Sequence, residues 1–339
     1  MNQTMYVNID EILGDHCKRF FSFGYKHVKH RLADIKVNPS VQSASAVASI
    51  FYPADWSTKD EDTELKPHLS TLDGLIISIH LNTLFIDSLY NLNEFQKSHI
   101  WIRKVRMKSG ATALLDLENI RITTKLIKTE ITTDSLCGHL TTFKTQIGNM
   151  SIEMVLDHYI NEFSFDAKSF KDIGAAFEKV NTSYYGSYYR ECNRDLMDLQ
   201  LDTENKQISA WIKINYPDQT DISNGISSIY YPFYTPIDTF VCASQQIQAL
   251  FYLMDNIDRD KSNNLWMRQV DYESKQPIYR PSGFKQTVSL VRTKVLGKEN
   301  GQWRVGEFEC KLDAFPDLFK LNVNIAHELP KEVKLGESS

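Results

Sequence analysis

Two long apolar segments dominate the hydrophobic pattern of the chain, one in each half. Each is about 20 residues long, which as a helix extends roughly 30 Å. Apolar residues occupy nearly every face of the first segment, as is typical of a helix inside a protein. A capping box of Ser70 and Asp73 marks its start. Thr235 and Asp238 cap the second segment, and Pro236 takes the favoured first helical position. The pattern predicts two buried helices.

Alternating apolar and polar positions surround both segments and predict strands. Before the helices, alternation covers residues 46–52 and 210–216, and each run ends at a proline, which cannot donate to a sheet ladder. After the first helix come IWIRKVRM, IRITTKLIKTEI, HLTTFKTQI and SIEMVLDH. After the second come LWMRQVDY, QTVSLVRTKVL, WRVGEFECKL and LFKLNVNIAH. A helix followed by antiparallel strands with short connections predicts an α+β fold.

The two halves of the chain are copies of one another. Residues 67–107 align without gaps with residues 232–272, 165 positions later, and residues 32–53 align with residues 196–217, 164 positions later. Each copy has the order strand, long buried helix and about four strands, which is the order of the hotdog fold. Two copies in one chain resemble a double hotdog, the fused equivalent of a hotdog dimer.

The repeat also predicts the domain organisation. The first hotdog repeat covers residues 1–160 and is opened by a short helical segment over residues 8–31. A connecting helix is expected over residues 161–181, and the second repeat covers residues 182–328. Residues 329–339 are expected to form a flexible tail.

Composition narrows the classes of function. The length of 339 residues suggests about two domains, and 42% hydrophobic with 24% charged residues is ordinary for a soluble globular protein. The net charge of −5, without a long basic run, argues against nucleic acid as a partner. Nothing at the start of the sequence resembles a signal peptide, and the most apolar windows fall short of the ~20 apolar residues of a membrane span. Five scattered cysteines favour a reducing cytoplasm over a disulfide framework.

No cofactor or metal motif accompanies this composition. The sequence contains no P-loop, dinucleotide fingerprint, GxSxG or HExxH. His27 and His30 lie among lysines and an arginine, with no third ligand at a useful spacing, which favours a solvated basic face over a metal site. We expect neither a cofactor nor a metal.

Several segments resemble the avirulence protein D (AvrD) family. They are EILGDHCKRFFSFGYKHVKHRL, FYPADWSTK with KPHLSTLDGLI, and IDTFVCASQQIQALFYLMDNIDR with NNLWMRQV. The resemblance implies bacterial origin and a part in making syringolide-type signals, acyl glycosides assembled from a β-ketoacyl chain and a sugar such as xylulose. It also implies chemistry similar to that of AfsA-type butyrolactone synthases, double hotdogs that condense a β-ketoacyl thioester with a small hydroxyketone.

Differences between the two copies select candidate catalytic residues. Hotdog enzymes bind an acyl chain along the central helix and hold its thioester carbonyl near a helix N-terminus, where free N–H groups stabilise negative charge. The first copy carries His68 where the second has Phe233, and His80 where the second has Gln245. We expect the site to combine His68 and His80 of the first half with Asp238 of the second.

Further residues are expected to contact the substrate. Asp73 shares a helix face with His80, because seven positions are about two helical turns. Asp55 and Trp56 belong to a loop without an equivalent in the second copy, which we expect to cover the site. The substrate-binding candidates are Asp55, Trp56, Asp73, Gln245, Arg103 and Arg268.

Simpler explanations compete with these roles. Helix capping alone accounts for Asp73 and Asp238. A histidine on an apolar helix, such as His80, is commonly a hydrogen-bonded core residue. Arg103 and Arg268, each two residues after a tryptophan, fit sheet-edge or cation–π partners.

The resemblance implies an enzyme that condenses a β-ketoacyl thioester, presented by an acyl carrier protein or CoA, with a sugar-like hydroxyketone. A dehydratase or thioesterase of the same fold is the first alternative. A non-catalytic hotdog that binds an acyl ligand or a partner protein is the second. The chain is expected to act as a monomer that forms its own pseudo-dimer, or as a homodimer.

Overall fold

The described residues form fourteen strands and two long helices. The computed structural model describes residues 3–59, 65–172, 183–217, 222, 225–263, 265–279, 282–298 and 301–330. The helices are α1 (Asp10–Leu13), α2 (Thr71–Tyr90), α3 (Glu94–Ser98) and α4 (Pro236–Asp255). The strands of the first half are β1 (Gln3–Asn8), β2 (Lys29–Asn38), β3 (Ser43–Phe51), β4 (Trp101–Lys108), β5 (Ile120–Ile131), β6 (His139–Ile147) and β7 (Met150–His158). Those that follow are β8 (Lys168–Asp172), β9 (Asn193–Asp202), β10 (Gln207–Asn215), β11 (Leu265–Ser274), β12 (Phe284–Lys298), β13 (Gly301–Leu312) and β14 (Phe319–Leu329).

All fourteen strands form one continuous antiparallel sheet. Its order is β1-β9-β10-β12-β13-β14-β11-β4-β7-β6-β5-β3-β2-β8. The two halves join where β11 pairs with β4, with Tyr272 opposite Val105. Each half of the sheet packs on its own long helix, α2 or α4. The structure therefore confirms the predicted double hotdog, with a pseudo-two-fold axis near the β4–β11 pair.

The first strand of each repeat is exchanged with the other repeat. β1 pairs with β9 of the second half, and β8 pairs with β2 of the first. Thr4 and Lys168 lie 164 positions apart, so β8 is the counterpart of β1. On the pseudo-axis, Tyr25 stacks on its own counterpart Tyr189, with ring centroids 6.3 Å apart. The exchange interlocks the two halves.

Three expectations about the connecting segments and the tail differ from the structure. The connecting helix expected over residues 161–181 is not formed in its described part, because Lys168–Asp172 is an edge strand on β2 and residues 173–181 lie outside the described residues. The helical segment at residues 8–31 is helical only in short pieces, and Lys29 already begins β2. The tail begins later than expected, since Leu329 ends β14; residues 331–339 lie outside the described residues.

The two long helices, α2 and α4, have the same kinds of N-terminal and C-terminal cap. Ser70 Oγ accepts from Asp73 N at 3.1 Å while Asp73 accepts from Ser70 N at 3.0 Å, which is the predicted capping box. Thr235 and Asp238 repeat it in α4. Both helices end at a left-handed asparagine, Asn91 and Asn256. Among the described helices, α2 alone is long and apolar enough to cross a membrane, but most of it is buried inside the protein, as in a core helix.

Candidate functional site

A cavity opens at the N-terminus of α2. Its volume is about 160 Å³. The first half supplies the start of α2 and the residues before it, while the second half supplies one face of α4 and the beginning of β11. Among the lining residues are Tyr52, Trp56, His68, Thr71, Gln248 and Trp266. One chain thus builds the cavity from both of its halves.

His68 presents an imidazole on the wall of this cavity. The residue is half-buried, and its ring lies edge-on to the Trp56 ring with centroids 6.4 Å apart. Nδ1 of His68 lies 3.3 Å from the carbonyl oxygen of Lys66. A tautomer in which Nδ1 donates to that oxygen leaves the lone pair on Nε2. This arrangement supplies a proton acceptor beside the helix N-terminus.

Next to the cavity, the buried carboxylate of Asp73 connects His30 to Tyr52, which lines the cavity. Nε2 of His30 lies 2.8 Å from Asp73 Oδ1, and the Tyr52 hydroxyl donates to Asp73 Oδ2. Only 6% of the His30 side chain and 2% of the Asp73 side chain are exposed. Burial by itself would raise the pKa of Asp73, but hydrogen bonds from His30, Ser70 and Tyr52 lower it below its ordinary value. Asp73 is therefore held as an anion that links His30 to Tyr52.

Tyr52 is the member of this group that reaches the cavity. Burial, reinforced by the negative charge of Asp73, raises the pKa of Tyr52 well above its ordinary value, so the phenol keeps its proton. Its oxygen also lies 3.1 Å from the carbonyl oxygen of His68. Tyr52 thus fixes the backbone that carries His68.

The helix start provides electrostatic support at the same place. The first turn of a helix carries N–H groups without intrahelical acceptors and the positive end of the helix dipole. Ser70 satisfies the N–H groups of Asp73 and Gly74 through its hydroxyl and carbonyl oxygens. The N–H groups of Thr71 and Leu72 have no acceptor inside the helix, and Thr71 lines the cavity. A carbonyl or an anion bound there would be stabilised.

Close backbone contact positions the Trp56 side of the cavity. A Cβ added at Gly24 would lie 1.7 Å from the carbonyl oxygen of Trp56. The Trp56 ring packs edge-on against Tyr52 and Phe20, with centroids 5.2 and 5.5 Å apart. Only glycine at position 24 allows the loop to approach this closely.

We expect Gly24→Ala to displace the Trp56 loop and weaken ligand binding in the cavity at least tenfold. Overpacking of this kind costs about 1–3 kcal/mol of stability. Urea denaturation together with calorimetric titration of an acyl ligand measures both effects. Gly297→Ala is the matched control, because a Cβ there meets nothing within 4 Å. Equal behaviour of the two variants would contradict this role of Gly24.

The equivalent place in the second half is closed. The cavity there is about 10 Å³ and is lined by counterparts of first-half residues, including Tyr216 for Tyr52 and Phe233 for His68. The Trp101 ring packs edge-on against Phe233 with centroids 5.3 Å apart, and Trp101 is fully buried. Aromatic packing thus fills the second site.

The buried carboxylate of the second half is also held differently. Arg194, the counterpart of His30, donates from Nε to Asp238 Oδ1 at 2.7 Å. Tyr184, the counterpart of Phe20, donates its hydroxyl to the same oxygen at 2.7 Å. Asp238 is wholly buried and Arg194 is 2% exposed. This group is a closed structural ion pair, whereas the first half has a histidine and an open cavity.

The structure brings together some of the predicted site residues and separates others. His68, Trp56 and Arg268 line the cavity, and Asp73 lies directly behind it. His80, Asp238, Gln245, Arg103 and Asp55 do not line it. The expected opposition of His68 and Asp238 is not formed, because the fold places the start of α2 against β11 and the later part of α4. The start of α4 belongs to the closed second site.

Each excluded residue has its own surroundings. Burial, with the nearby charges of His30 and Arg190, lowers the pKa of His80 to about 3, as for a neutral core histidine. Gln245 is buried and donates to Val241 O within α4. Arg103 is 4% exposed and donates to the carbonyl oxygens of Asp134 and Lys275. Asp55 is exposed.

Sequence reasoning missed His30, which it placed on a solvated face. The repeat contained the signal, because His30 aligns with Arg194 at the same separation of 164 positions that relates Leu32 to Leu196. Both residues contact the capping aspartate of their own half.

One surface group could be considered for a metal. Within the described part of the chain, Asp15, His16 and Cys17 bring ligand atoms within 4.8 Å of one another, and all three residues are exposed. Structural zinc sites are closed and four-coordinate, so we assign no metal to this group.

Several solved structures resemble this fold. A putative oleoyl thioesterase from Lactobacillus plantarum has a TM-score of 0.41 at 9% identity, over 80% of this chain and 93% of that chain. A double hotdog protein from Mycobacterium tuberculosis has a TM-score of 0.41 at 7% identity, over 97% of this chain and 96% of that chain. The dehydratase domain of PpsC from Mycobacterium tuberculosis was solved in complex with C12:1-CoA. It has a TM-score of 0.37 at 9% identity, over 87% of this chain and 98% of that chain. Similarity at this level does not transfer a reaction.

The sequence itself identifies the family. A search among curated proteins finds no match. The model of the family described as Pseudomonas avirulence D protein (AvrD) matches residues 4–330, nearly the whole chain. The chain belongs to the AvrD family.

Proposed function

We propose that this protein is an enzyme that transfers a β-ketoacyl group from a thioester to a hydroxyl of a sugar-like hydroxyketone. The observation that carries the proposal is the asymmetry between the halves. His68 and an open cavity lie at the N-terminus of α2, while Phe233 and a closed site occupy the equivalent place at α4. Family membership and the fold are consistent with an acyl thioester as the donor.

In this proposal the acyl donor lies between α2 and β11, with its carbonyl oxygen at the first turn of α2. The N–H of Thr71 and the helix dipole stabilise the negative charge that develops on that oxygen. The wall formed by Gln248 and Trp266 of the second half contacts the donor. Because both halves contribute, a single chain suffices as the catalytic unit.

His68 moves the proton in this reaction. Its Nε2 takes the proton from the acceptor hydroxyl while that oxygen bonds to the thioester carbonyl carbon. The carbon–sulfur bond then breaks, and His68 returns the proton to the departing sulfur. Tyr52, Asp73 and His30 act as positioning residues, since they fix the backbone of His68 and the start of α2.

Two other reactions use the same groups. Water in place of the acceptor hydroxyl makes the protein a thioesterase, and removal of water from a 3-hydroxyacyl chain makes it a dehydratase. The five cysteines are all free, which is consistent with action in a reducing cytoplasm.

Mass spectrometry of purified protein with a β-ketoacyl-CoA and candidate ketoses tests the proposal. We expect an acyl ester of the sugar, with His68→Gln slowing its formation about 100-fold or more. His27→Gln is the matched control, because His27 is exposed and lies outside the cavity. Free acid or enoyl product identifies the hydrolase or dehydratase instead. Bound but unchanged thioester in all reactions would show a non-catalytic binding protein.

A further inference from the structure

Three cationic side chains line one side of the same cavity. Arg19 and Lys59 come from the first half and Arg259 comes from the second. Arg259 assembles the group, because its guanidinium donates to the carbonyl oxygen of Lys18 at 2.7 Å and to that of Thr58 at 3.0 Å. These two residues directly precede Arg19 and Lys59. The three charges are therefore gathered by direct contacts between the two halves.

Within this group, Arg19 does not use all of its hydrogen-bond donors. Arg19 is only 3% exposed, and its Nε and Nη1 have no hydrogen-bond partner among the described residues. Its Nη2 donates to Asp10, which is 41% exposed on the outer side. Lys59 donates to Ser262 Oγ at 2.9 Å. Buried guanidinium donors without acceptors are costly, which points to an acceptor that the site is built to receive.

The charges of the group also oppose one another. Burial and the neighbouring charge of Arg259 lower the pKa of Lys59 to about 8, and the same two causes outweigh Asp10 in lowering the pKa of Arg19. The carboxylate in contact with Arg259 is Asp260, which is 42% exposed and therefore screened by water. An anion bound among the three cations would relieve this repulsion.

We propose that Arg19, Lys59 and Arg259 form a subsite for a phosphate group carried by one of the two substrates. A phosphate matches the site because it brings about two negative charges and several acceptor oxygens, and guanidinium groups bind such oxygens in pairs. The second half lacks this subsite, since Ser183 takes the place of Arg19. The group is a phosphate either of the pantetheine-bearing carrier or of the sugar-like acceptor. This assignment of the phosphate to a substrate rests on the proposed function.

Binding of inorganic phosphate, followed by calorimetry on the full chain, tests the subsite without any turnover. We expect Lys59→Met and Arg259→Met each to weaken phosphate binding about tenfold, because each removes a charge-assisted hydrogen bond. Lys261→Met is the matched control, because Lys261 lies in the same 3-10 helix as Arg259, is 77% exposed and does not line the cavity. Circular dichroism and thermal unfolding establish that each variant is folded. Absence of binding to the wild type, or equal weakening in Lys261→Met, overturns the subsite.

Two substrate pairs identify which molecule carries the phosphate. If Lys59→Met weakens the binding of acyl-CoA but not of the phosphate-free acyl-pantetheine, the carrier supplies the phosphate. If Lys59→Met weakens the binding of a ketose phosphate but not of the free ketose, the acceptor supplies the phosphate. Unchanged binding of both phosphorylated ligands overturns the proposal. Phosphate binding without acyl transfer would reject the proposed reaction and leave the subsite standing.

Discussion

Replacing His68 by phenylalanine is expected to abolish both binding of the acyl ligand and turnover while the protein stays folded. Phenylalanine is the residue at the equivalent position 233, where it packs on Trp101 and leaves a cavity of about 10 Å³. At the first-half cavity the corresponding tryptophan, Trp266 of the second half, is half-buried and lines the open space. A phenyl ring at position 68 would occupy the space between Trp56 and Trp266. Loss of a general base costs about 10²–10⁴ in rate, and blocked binding adds to it.

Steady-state kinetics and calorimetric titration of a non-hydrolysable acyl-CoA analogue measure this effect. His68→Gln separates the two contributions, since it removes the base but leaves the cavity open. It should retain ligand binding within a few fold and lose turnover. A His68→Phe protein that turns over at the wild-type rate would exclude this cavity as the site of the reaction.

The reciprocal variant Phe233→His serves as the control in the second half. Phe233 is 1% exposed, so a polar ring there loses apolar packing and lacks hydration. We expect a loss of about 3 kcal/mol in the free energy of unfolding, within the range for disrupted buried aromatic residues. Activity in the first-half cavity should persist at temperatures where the variant is folded. The two substitutions thus separate function in one half from stability in the other.

Much of the fold was predictable from sequence because each element is determined locally. The capping boxes at Ser70 and Thr235 placed the starts of α2 and α4 correctly, since a hydroxyl and a carboxylate three residues apart satisfy the helix N-terminus in any context. The strand pattern after each helix was confirmed for the same reason. The repeat then supplied the pairing of the halves, because two copies of one unit bury equivalent surfaces.

The exchanged strands were not predictable in this way. Lys168–Asp172 lies in a segment whose composition favoured a helix, and its strand conformation depends on a partner, β2, that is distant in sequence. Tertiary pairing overrides local propensity at such edge positions. The closure of the second site is likewise a property of packing. Trp101 and Trp266 occupy equivalent positions of the repeat. Phe233 packs on Trp101 and buries it, whereas Trp266 lies with His68 at an open cavity.

The candidate site was partly predictable, because His68 and Trp56 are differences between the copies. Asp238 was misplaced because the repeat shows which residues correspond but not which residues face one another. His30 was missed because a polar residue beside lysines resembles a surface position. Only the structure shows that its ring reaches Asp73 at the helix start, with 6% of the side chain exposed.

Arg194→Met is expected to cause the largest loss of stability of any single substitution considered for this chain. Asp238 is wholly buried and accepts hydrogen bonds from Arg194, Tyr184 and its own helix cap. Removal of one partner of a buried ion pair costs about 3–5 kcal/mol, because the remaining charge stays in the interior without compensation. The guanidinium also donates to the carbonyl oxygens of Tyr189 and Cys192, and those acceptors would lose their partner. Urea denaturation followed by circular dichroism gives the free energy of unfolding.

A double variant shows whether the cost arises from the unpaired carboxylate. Adding Asp238→Asn to Arg194→Met removes the buried charge, so part of the stability should return, and the coupling between the two substitutions should exceed about 1 kcal/mol. His30→Gln is the matched first-half variant. It should cost less stability, because Ser70 and Tyr52 still hydrogen-bond to Asp73, and it should lower turnover instead. If Arg194→Met lost less than about 1 kcal/mol, the Arg194–Asp238 pair would not be what stabilises the second half. The expected contrast follows from a difference between the copies: Arg194 holds the capping aspartate of the second half in a buried ion pair, whereas His30 contacts the capping aspartate of the first half beside an open cavity.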